Sequence, residues 1–255
     1  MDKCGAKKKR KMKFHIYKTK EEVSNELALW TCDLINSTLQ EQEFFTLVLS
    51  GGETPKNLFK KLASEYFKEK INWKRIQIFW GDERVVPFTD DRNNAKMAYD
   101  ILIDHIDIPA SQVHVMRTDI EPVFAAIEYE KILHIFFDNI RKSFDLVLLG
   151  MGDDGHTLSL FPHSAIIDEK NENWVNAAYN DAQQMYRITL MPVIVNNASN
   201  IVFMIDGKKK SSVLKKVIEG KYTPTELPAQ IIKPISGELH WFLDKDAALE
   251  LSNKK

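Results

Sequence analysis

Three stretches of this chain are apolar almost without a break: Phe45-Thr-Leu-Val-Leu49, Phe144-Asp-Leu-Val-Leu-Leu149 and Ile201-Val-Phe-Met-Ile205. A strand with one wet face alternates apolar and polar residues, whereas a continuous apolar run belongs to a strand covered on both faces. Segments with helical spacing separate these runs. Strand patterns fall at 14–17, 44–49, 75–80, 113–116, 144–149, 174–178, 186–189, 200–205 and 239–243. Helical patterns fall at 20–40, 55–69, 93–104, 121–142, 208–219 and 244–251. Their alternation predicts an α/β fold with a doubly wound, mainly parallel sheet and helices on both faces. Ligands bind such sheets at the carboxyl ends of the strands, so the loops leaving the strands carry the functional reading.

No repeat and no Pro/Gly/Ser linker divides the 255 residues. Residues 1–11 read as a disordered basic tail and 12–255 as a single domain, for which 44% hydrophobic content supplies a core. Net charge is −1, but residues 1–13 hold seven of the 35 basic residues and one of the 36 acidic ones. The remainder carries 28 basic against 35 acidic residues. A body that acidic is a poor general nucleic-acid binder, and an anionic ligand there needs cations gathered locally. No apolar run reaches the roughly 20 residues of a membrane span, and the basic start lacks the apolar core of a secretory signal. The two cysteines, Cys4 in the polar tail and Cys32, suit a reducing, cytoplasmic compartment.

Ser50-Gly-Gly-Glu-Thr-Pro55 follows a buried strand and opens a helix. The glycines allow close approach of backbone to ligand. Thr54 can cap the helix with Pro55 at its first position, and a helix N-terminus attracts anions. From these residues alone a plain strand-to-helix turn stays open. Trp80-Gly-Asp-Glu-Arg-Val-Val-Pro87 sets Asp82, Glu83 and Arg84 at another strand end. A carboxylate there can act as base or orient one, and an Arg can fork onto phosphate. A surface salt-bridge cluster is the alternative.

Gly150-Met-Gly-Asp-Asp-Gly-His-Thr157 contains G-x-G-x-x-G after a strand. A dinucleotide fingerprint is rejected: Asp153 and Asp154 would face the pyrophosphate with like charge, Pro162 interrupts the helix that should follow, and no clean βαβ unit with an acidic ribose ligand appears downstream. The useful feature is Asp154 two residues before His156. Imidazole titrates near pH ~6.5 and can take a proton from water, with a carboxylate fixing its tautomer; a structural polar histidine stays open from these residues alone. Arg187 sits in a further strand pattern. Gly207-Lys-Lys-Lys210 opens a helix, where lysines oppose the dipole unless an anion offsets them; a solvated helix start with flexible lysines is the alternative. No ligand spacing matches a zinc pattern, so little points to a metal.

Together these loops resemble the 6-phosphogluconolactonase family. The resemblance runs from about residue 14 to 247 and rests on Ser50–Pro55, Gly81-Asp-Glu-Arg84 with Val86-Pro87, Asn94 with Met97-Ala98, Leu149–Thr157 with Ser159-Leu-Phe-Pro162, Arg187-Ile-Thr-Leu190, Gly207 with Lys210, and Pro228-Ala-Gln230. It implies a Rossmann-like fold of the deaminase/lactonase type. The implied activity is hydrolysis of 6-phospho-D-glucono-1,5-lactone to 6-phosphogluconate in the oxidative pentose phosphate pathway, without metal or organic cofactor. It places His156 as catalytic base and Asp82 as active-site carboxylate. Gly51, Gly52, Thr54, Arg84, Arg187 and Lys210 fall at positions that bind phosphate or line the pocket. Arg92-Asn93 departs from the family's usual Asp-Ser before the Asn at 94. The expected mechanism is water attack on C1 assisted by His156, whose ring Asp154 or a backbone carbonyl orients.

Glucosamine-6-phosphate deaminase/isomerase shares the implied fold and the Asp-Gly-His loop. It usually carries Met-Asp-Glu-Tyr where this chain has Gly81-Asp-Glu-Arg84, and a Glu near Phe161; both differences favour the lactonase. A non-catalytic sugar-phosphate-binding protein is the remaining alternative. The expected partner is a small sugar phosphate, with no nucleic acid and no membrane, and the expected state a monomer or weak homodimer.

Overall fold

The computed structural model describes residues 12–137, 142–167 and 172–252; the expected tail over 1–11 lies outside them. In chain order the elements are β1 (Met12–Tyr17), α1 (Lys20–Thr38), β2 (Phe45–Leu49), α2 (Glu53–Leu62), α3 (Glu65–Lys68), β3 (Ile76–Trp80), β4 (Asp82–Arg84), α4 (Asn94–Ile101), β5 (Val113–His114), α5 (Pro122–Phe137), β6 (Leu146–Leu149), β7 (Val175–Asn180), β8 (Met185–Leu190), α6 (Pro192–Val195), β9 (Asn200–Ile205), α7 (Ser211–Glu219) and β10 (Glu238–Asp244). Seven strands form one sheet in the order β1-β10-β9-β6-β2-β3-β5. Every pairing within it is parallel.

The apolar runs explain the layering. In β2, Leu47 and Leu49 join a core built with α1, α2 and α4, while Val48 between them joins a second core with α5 and α7. Leu148 and Leu149 of β6 divide the same way. A strand whose alternate residues enter two cores has no polar face to show, hence the unbroken sequence runs.

The chain runs outward from β2 through β3 to β5, then crosses by α5 to β6 on the other side of β2 and continues to β9 and β10. The strand order therefore reverses between β2 and β6. The loops leaving these two strands diverge there and open a crevice at the carboxyl edge, where open α/β sheets take ligands.

A second sheet was not expected. It is antiparallel, in the order β4-β8-β7, with Arg84 opposite Arg187 and Asp82 opposite Thr189. Gly81 joins the two sheets: its N–H donates to the Leu49 carbonyl (2.9 Å) and its carbonyl accepts from Leu190 N–H (2.8 Å). The hydroxyl of Tyr129, on α5, accepts the Trp80 N–H at 2.8 Å and fixes the end of β3.

Several helical expectations need correction. The pattern at 244–251 is a series of turns; Ala247, Ala248 and Leu251 are buried at helical spacing, but only isolated turn bonds such as Ala248 N–H to Asp244 O form. The pattern at 55–69 divides into α2 and α3 near Ser64, whose hydroxyl donates to the Lys61 carbonyl and competes with helix continuation. That at 93–104 is α4 followed by a 3₁₀ turn at Ile103–His105. That at 208–219 is a 3₁₀ turn, Lys208–Lys210, followed by α7.

Candidate active site

The crevice holds a cleft of about 340 Å³. The loops after β2, β6 and β9 and the strands β4 and β8 supply its walls, including Gly51, Gly52, Thr54, Asp82, Arg84, His156, Arg187 and Lys210. Eight of the nine residues singled out from the sequence thus share one cavity. The ninth, Asp154, stands behind His156 rather than in the cleft wall.

The loop after β2 turns through Gly52, with φ 103°, which is the N-cap of α2. Thr54 is therefore not the cap, and Pro55 is not at the first position: the helix begins at Glu53, earlier than expected. No side chain caps this terminus, so its first amides are available to a ligand. Gly51 is required by close approach. A Cβ there would lie 1.9 Å from Asn94 Oδ1 and 2.3 Å from Asn94 Cγ, so the Asn94 amide packs directly on the glycine.

The small second sheet carries the buried charges. Arg187 on β8 donates through Nη2 to Asp82 Oδ2 (2.7 Å), through Nε to Ser159 Oγ (2.9 Å) and through Nη1 to Gln183 Oε1 (2.9 Å). Ser159 Oγ in turn donates to Asp82 Oδ2 at 2.6 Å. The ion-paired side chains are only 5% and 7% exposed. Burial, the largest influence on Asp82, pushes its pKa up. The Arg187 and Arg84 guanidiniums and the hydrogen bonds from Ser159 and Arg187 outweigh it and hold the carboxyl below its ordinary range. Arg84 donates Nη1 to the Arg92 carbonyl at 2.7 Å, while its buried Nε has no partner among the described residues. Its pKa is lowered, first by burial and then by the like charge of Arg187; a bound anion would offset both.

The loop after β6 folds on itself, with Gly152 N–H donating to His156 O (2.8 Å) and Thr157 Oγ1 to Gly150 O (2.8 Å). Turns and the Thr157–Leu160 bridge follow, not a helix, which agrees with rejecting the dinucleotide reading. His156 Nδ1 lies 2.6 Å from Asp154 Oδ1, which also accepts the His156 backbone N–H at 3.0 Å. Burial raises the Asp154 pKa, but the hydrogen bonds and charge of His156 prevail and hold it down at about 2. Asp154 is thus an anion that can only accept, so Nδ1 is the donor in this contact and Nε2 is the ring nitrogen left free of it. The expectation left open whether Asp154 or a backbone carbonyl faces the ring; the contact found is Asp154. The Phe161 ring packs on the imidazole at 4.5 Å between centroids. Gly152 is obligatory by space, since a Cβ there would fall 2.1 Å from His156 Nδ1.

Lys210 lines the cleft, but its Nζ is paired with Asp153 Oδ1 at 2.6 Å. Of the three expected cations, Arg187 is committed to Asp82, Lys210 to Asp153, and Arg84 alone retains a buried unpartnered donor. Ser159 and Gln183, which hold Arg187, received no role from sequence. Ser159 lay within a recognised motif, whereas Gln183 sits in a hairpin turn where no pattern pointed to it. Among the described residues no group of three or more His, Cys, Asp or Glu side chains is placed to hold a metal ion, and no helix is long and apolar enough to cross a membrane.

Residues 18–241 match the sequence model of the family described as glucosamine-6-phosphate isomerases/6-phosphogluconolactonase. A 6-phosphogluconolactonase of Haemophilus influenzae is 40% identical over 202 residues, covering 78% of this chain and 84% of that protein. One from Nostoc is 37% identical, covering 86% and 89%. The crystal structure of 6-phosphogluconolactonase from Thermotoga maritima superposes with TM-score 0.80 at 28% identity, over 92% of this chain and all of that one. A monomeric glucosamine-6-phosphate deaminase shares the fold, with TM-score 0.78 at 21% identity over 93% of this chain and 99% of that one.

Proposed function

Because the chain belongs to the glucosamine-6-phosphate isomerase/6-phosphogluconolactonase family, we propose that its cleft hydrolyses 6-phospho-D-glucono-1,5-lactone to 6-phospho-D-gluconate, a step of the oxidative pentose phosphate pathway. One observation carries the chemistry: the 2.6 Å contact between Asp154 and His156 Nδ1. It holds Nδ1 and orients the ring in the wall of a cleft that also gathers cations and amides.

The lactone carbonyl is already electrophilic, so a base and an oxyanion stabiliser suffice, with no step that calls for a cofactor. His156 Nε2 takes a proton from water as the oxygen attacks C1. The imidazolium formed is stabilised by Asp154. Basic groups and N–H donors of the cleft steady the negative charge on the carbonyl oxygen. Collapse of the tetrahedral intermediate breaks the bond from C1 to the ring oxygen, and the imidazolium returns its proton to that oxygen. Arg84, with its spare donor, and the amides of Gly51, Gly52 and Thr54 at the start of α2 receive the phosphate. Phosphate binding far from C1 holds the carbonyl at the base. Asp82 fixes Arg187 and the local field rather than exchanging protons, as its depressed pKa keeps it ionised.

The reading includes one domain over 12–255, a small sugar phosphate as partner, and a monomer or weak homodimer in the cytoplasm. Two cores sharing one sheet support the single domain. The test is acid release from freshly generated lactone, measured against spontaneous opening, for wild type, His156→Ala and Arg84→Ala. Loss of turnover in His156→Ala and a raised KM in Arg84→Ala are expected. Ammonia release from glucosamine 6-phosphate without lactonase activity would move the assignment to the deaminase.

A further inference from the structure

Glu83 lies between Asp82 and Arg84 on β4, yet it faces away from the cleft and is 1% exposed. No cationic side chain pairs with it among the described residues. A carboxylate this buried is costly unless it is fully hydrogen-bonded. Its three partners are all backbone amides: Arg84 N–H (2.7 Å) and Asn94 N–H (2.7 Å) on Oε1, and Ala95 N–H (2.8 Å) on Oε2. Two of these are the first amides of α4, and Asn93 Oδ1 accepts the next, from Lys96 (2.8 Å). Glu83 thus ties the strand carrying Asp82 and Arg84 to the positive end of a helix. Burial pushes its pKa up to about 7 against the pull of those amides.

The helix residue so fixed is the one that shapes the cleft. Asn94 is 2% exposed and donates Nδ2 to the Asp82 carbonyl at 2.9 Å. The other side of its amide packs on Gly51, where the space for a Cβ is fully taken. A shift of Asn94 therefore moves the glycine loop.

We propose that Glu83 is a positioning residue: through Asn94 it sets where the Gly51–Gly52 loop stands, and so shapes the wall that receives the substrate's phosphate. The inference rests on the assignment of that wall to phosphate under the proposed function. Glu83 touches no reacting atom, so its effect falls on binding and not on the chemical step at His156. Glutamine in its place keeps one oxygen for Arg84 and Asn94 but sets an NH₂ against the Ala95 N–H, donor to donor.

The experiment measures Kd for inorganic phosphate and for 6-phosphogluconate by calorimetry, and kcat and KM on fresh lactone, for wild type and Glu83→Gln. Both Kd values and KM should rise about tenfold, the effect of roughly one lost charge-assisted hydrogen bond, with kcat within about threefold. Unchanged Kd and KM in the folded variant, or a fall in kcat alone, would overturn the inference. Asn94→Ala keeps every backbone amide that Glu83 binds and removes the side-chain amide that packs on Gly51 and donates to the Asp82 carbonyl. It should raise KM and Kd in the same way if Glu83→Gln fails to fold, and wild-type values there would equally overturn the role. Wild-type protein that hydrolyses the lactone yet binds neither phosphate nor 6-phosphogluconate would overturn the phosphate assignment itself, and this inference with it.

Discussion

Replacing Arg187 with leucine would remove the partner of a carboxylate that is 7% exposed, without relieving that carboxylate of its charge. Breaking a buried pair on one side costs about 3–5 kcal/mol, because an uncompensated charge remains. For a chain of this size each kcal/mol lowers the melting temperature by about 2–4 °C, so Arg187→Leu should melt roughly 6–20 °C below wild type at neutral pH. In wild type the folded pKa of Asp82 lies below its unfolded value. The stability it contributes is present above the unfolded carboxylate pKa of about 3.9 and is lost as pH falls through the folded value. In the variant burial acts without Arg187, so the folded pKa moves up, with only Arg84 and Ser159 left to draw it down. The gap to wild type should then be widest near neutrality and shrink as pH falls, because the buried group can take up a proton. Asp82→Asn in the Arg187→Leu background should recover part of the loss, since it removes the stranded charge. Paired thermal melts by circular dichroism from pH ~7.5 to ~4.5 would measure this. A folded Arg187→Leu within a few degrees of wild type, with a gap that does not vary with pH, would refute the reasoning.

Gly152→Ala should lower kcat by at least about tenfold with little change in KM, because its methyl would occupy the place of the His156 ring edge; steady-state kinetics on fresh lactone would check it. His240 is buried and its pKa is lowered, chiefly by burial, then by His15 and Lys13. A base whose folded pKa is depressed contributes stability that is present above the unfolded value of about 6.5 and is lost as pH drops towards the folded one. His240→Gln should therefore flatten the decline of melting temperature below pH ~6.5, as seen in a pH series of melts.

Much of the site was legible because it is local in sequence. A buried strand, a glycine turn and a following polar pair occupy consecutive positions, so Ser50–Pro55 and Gly150–Thr157 could be read as cleft loops from their order alone. The second sheet was not legible. Asp82-Glu-Arg84 is a strand of three charged residues, without the apolar alternation that signals strands, and it forms because Gly81 and the β7–β8 hairpin supply its partners. The same non-local packing buries Glu83, which by composition resembles a surface acid. Cap positions also escaped: Thr54 has the side chain of an N-cap, but the positive φ at Gly52 starts the helix before it. The turns after Asp244 show the reverse error. Their buried Ala and Leu residues repeat at helical spacing, but the core fills those positions without a helix.

The pairing of β1 with β10 bears on how the molecule is made. Lys13 of β1 and Glu238 of β10 are 225 residues apart along the chain, yet they form an ion pair at 2.6 Å across a parallel ladder. On the ribosome the first strand emerges with no neighbour to accept it and waits for almost the whole of synthesis. The strands β2, β3 and β6 meet one another much sooner. Contacts of such span slow folding. Rearranging the gene so that β1 follows β10 through a crossover of a dozen or more residues, which a parallel pair requires, would turn that distant pairing into a near one in sequence and should speed its formation.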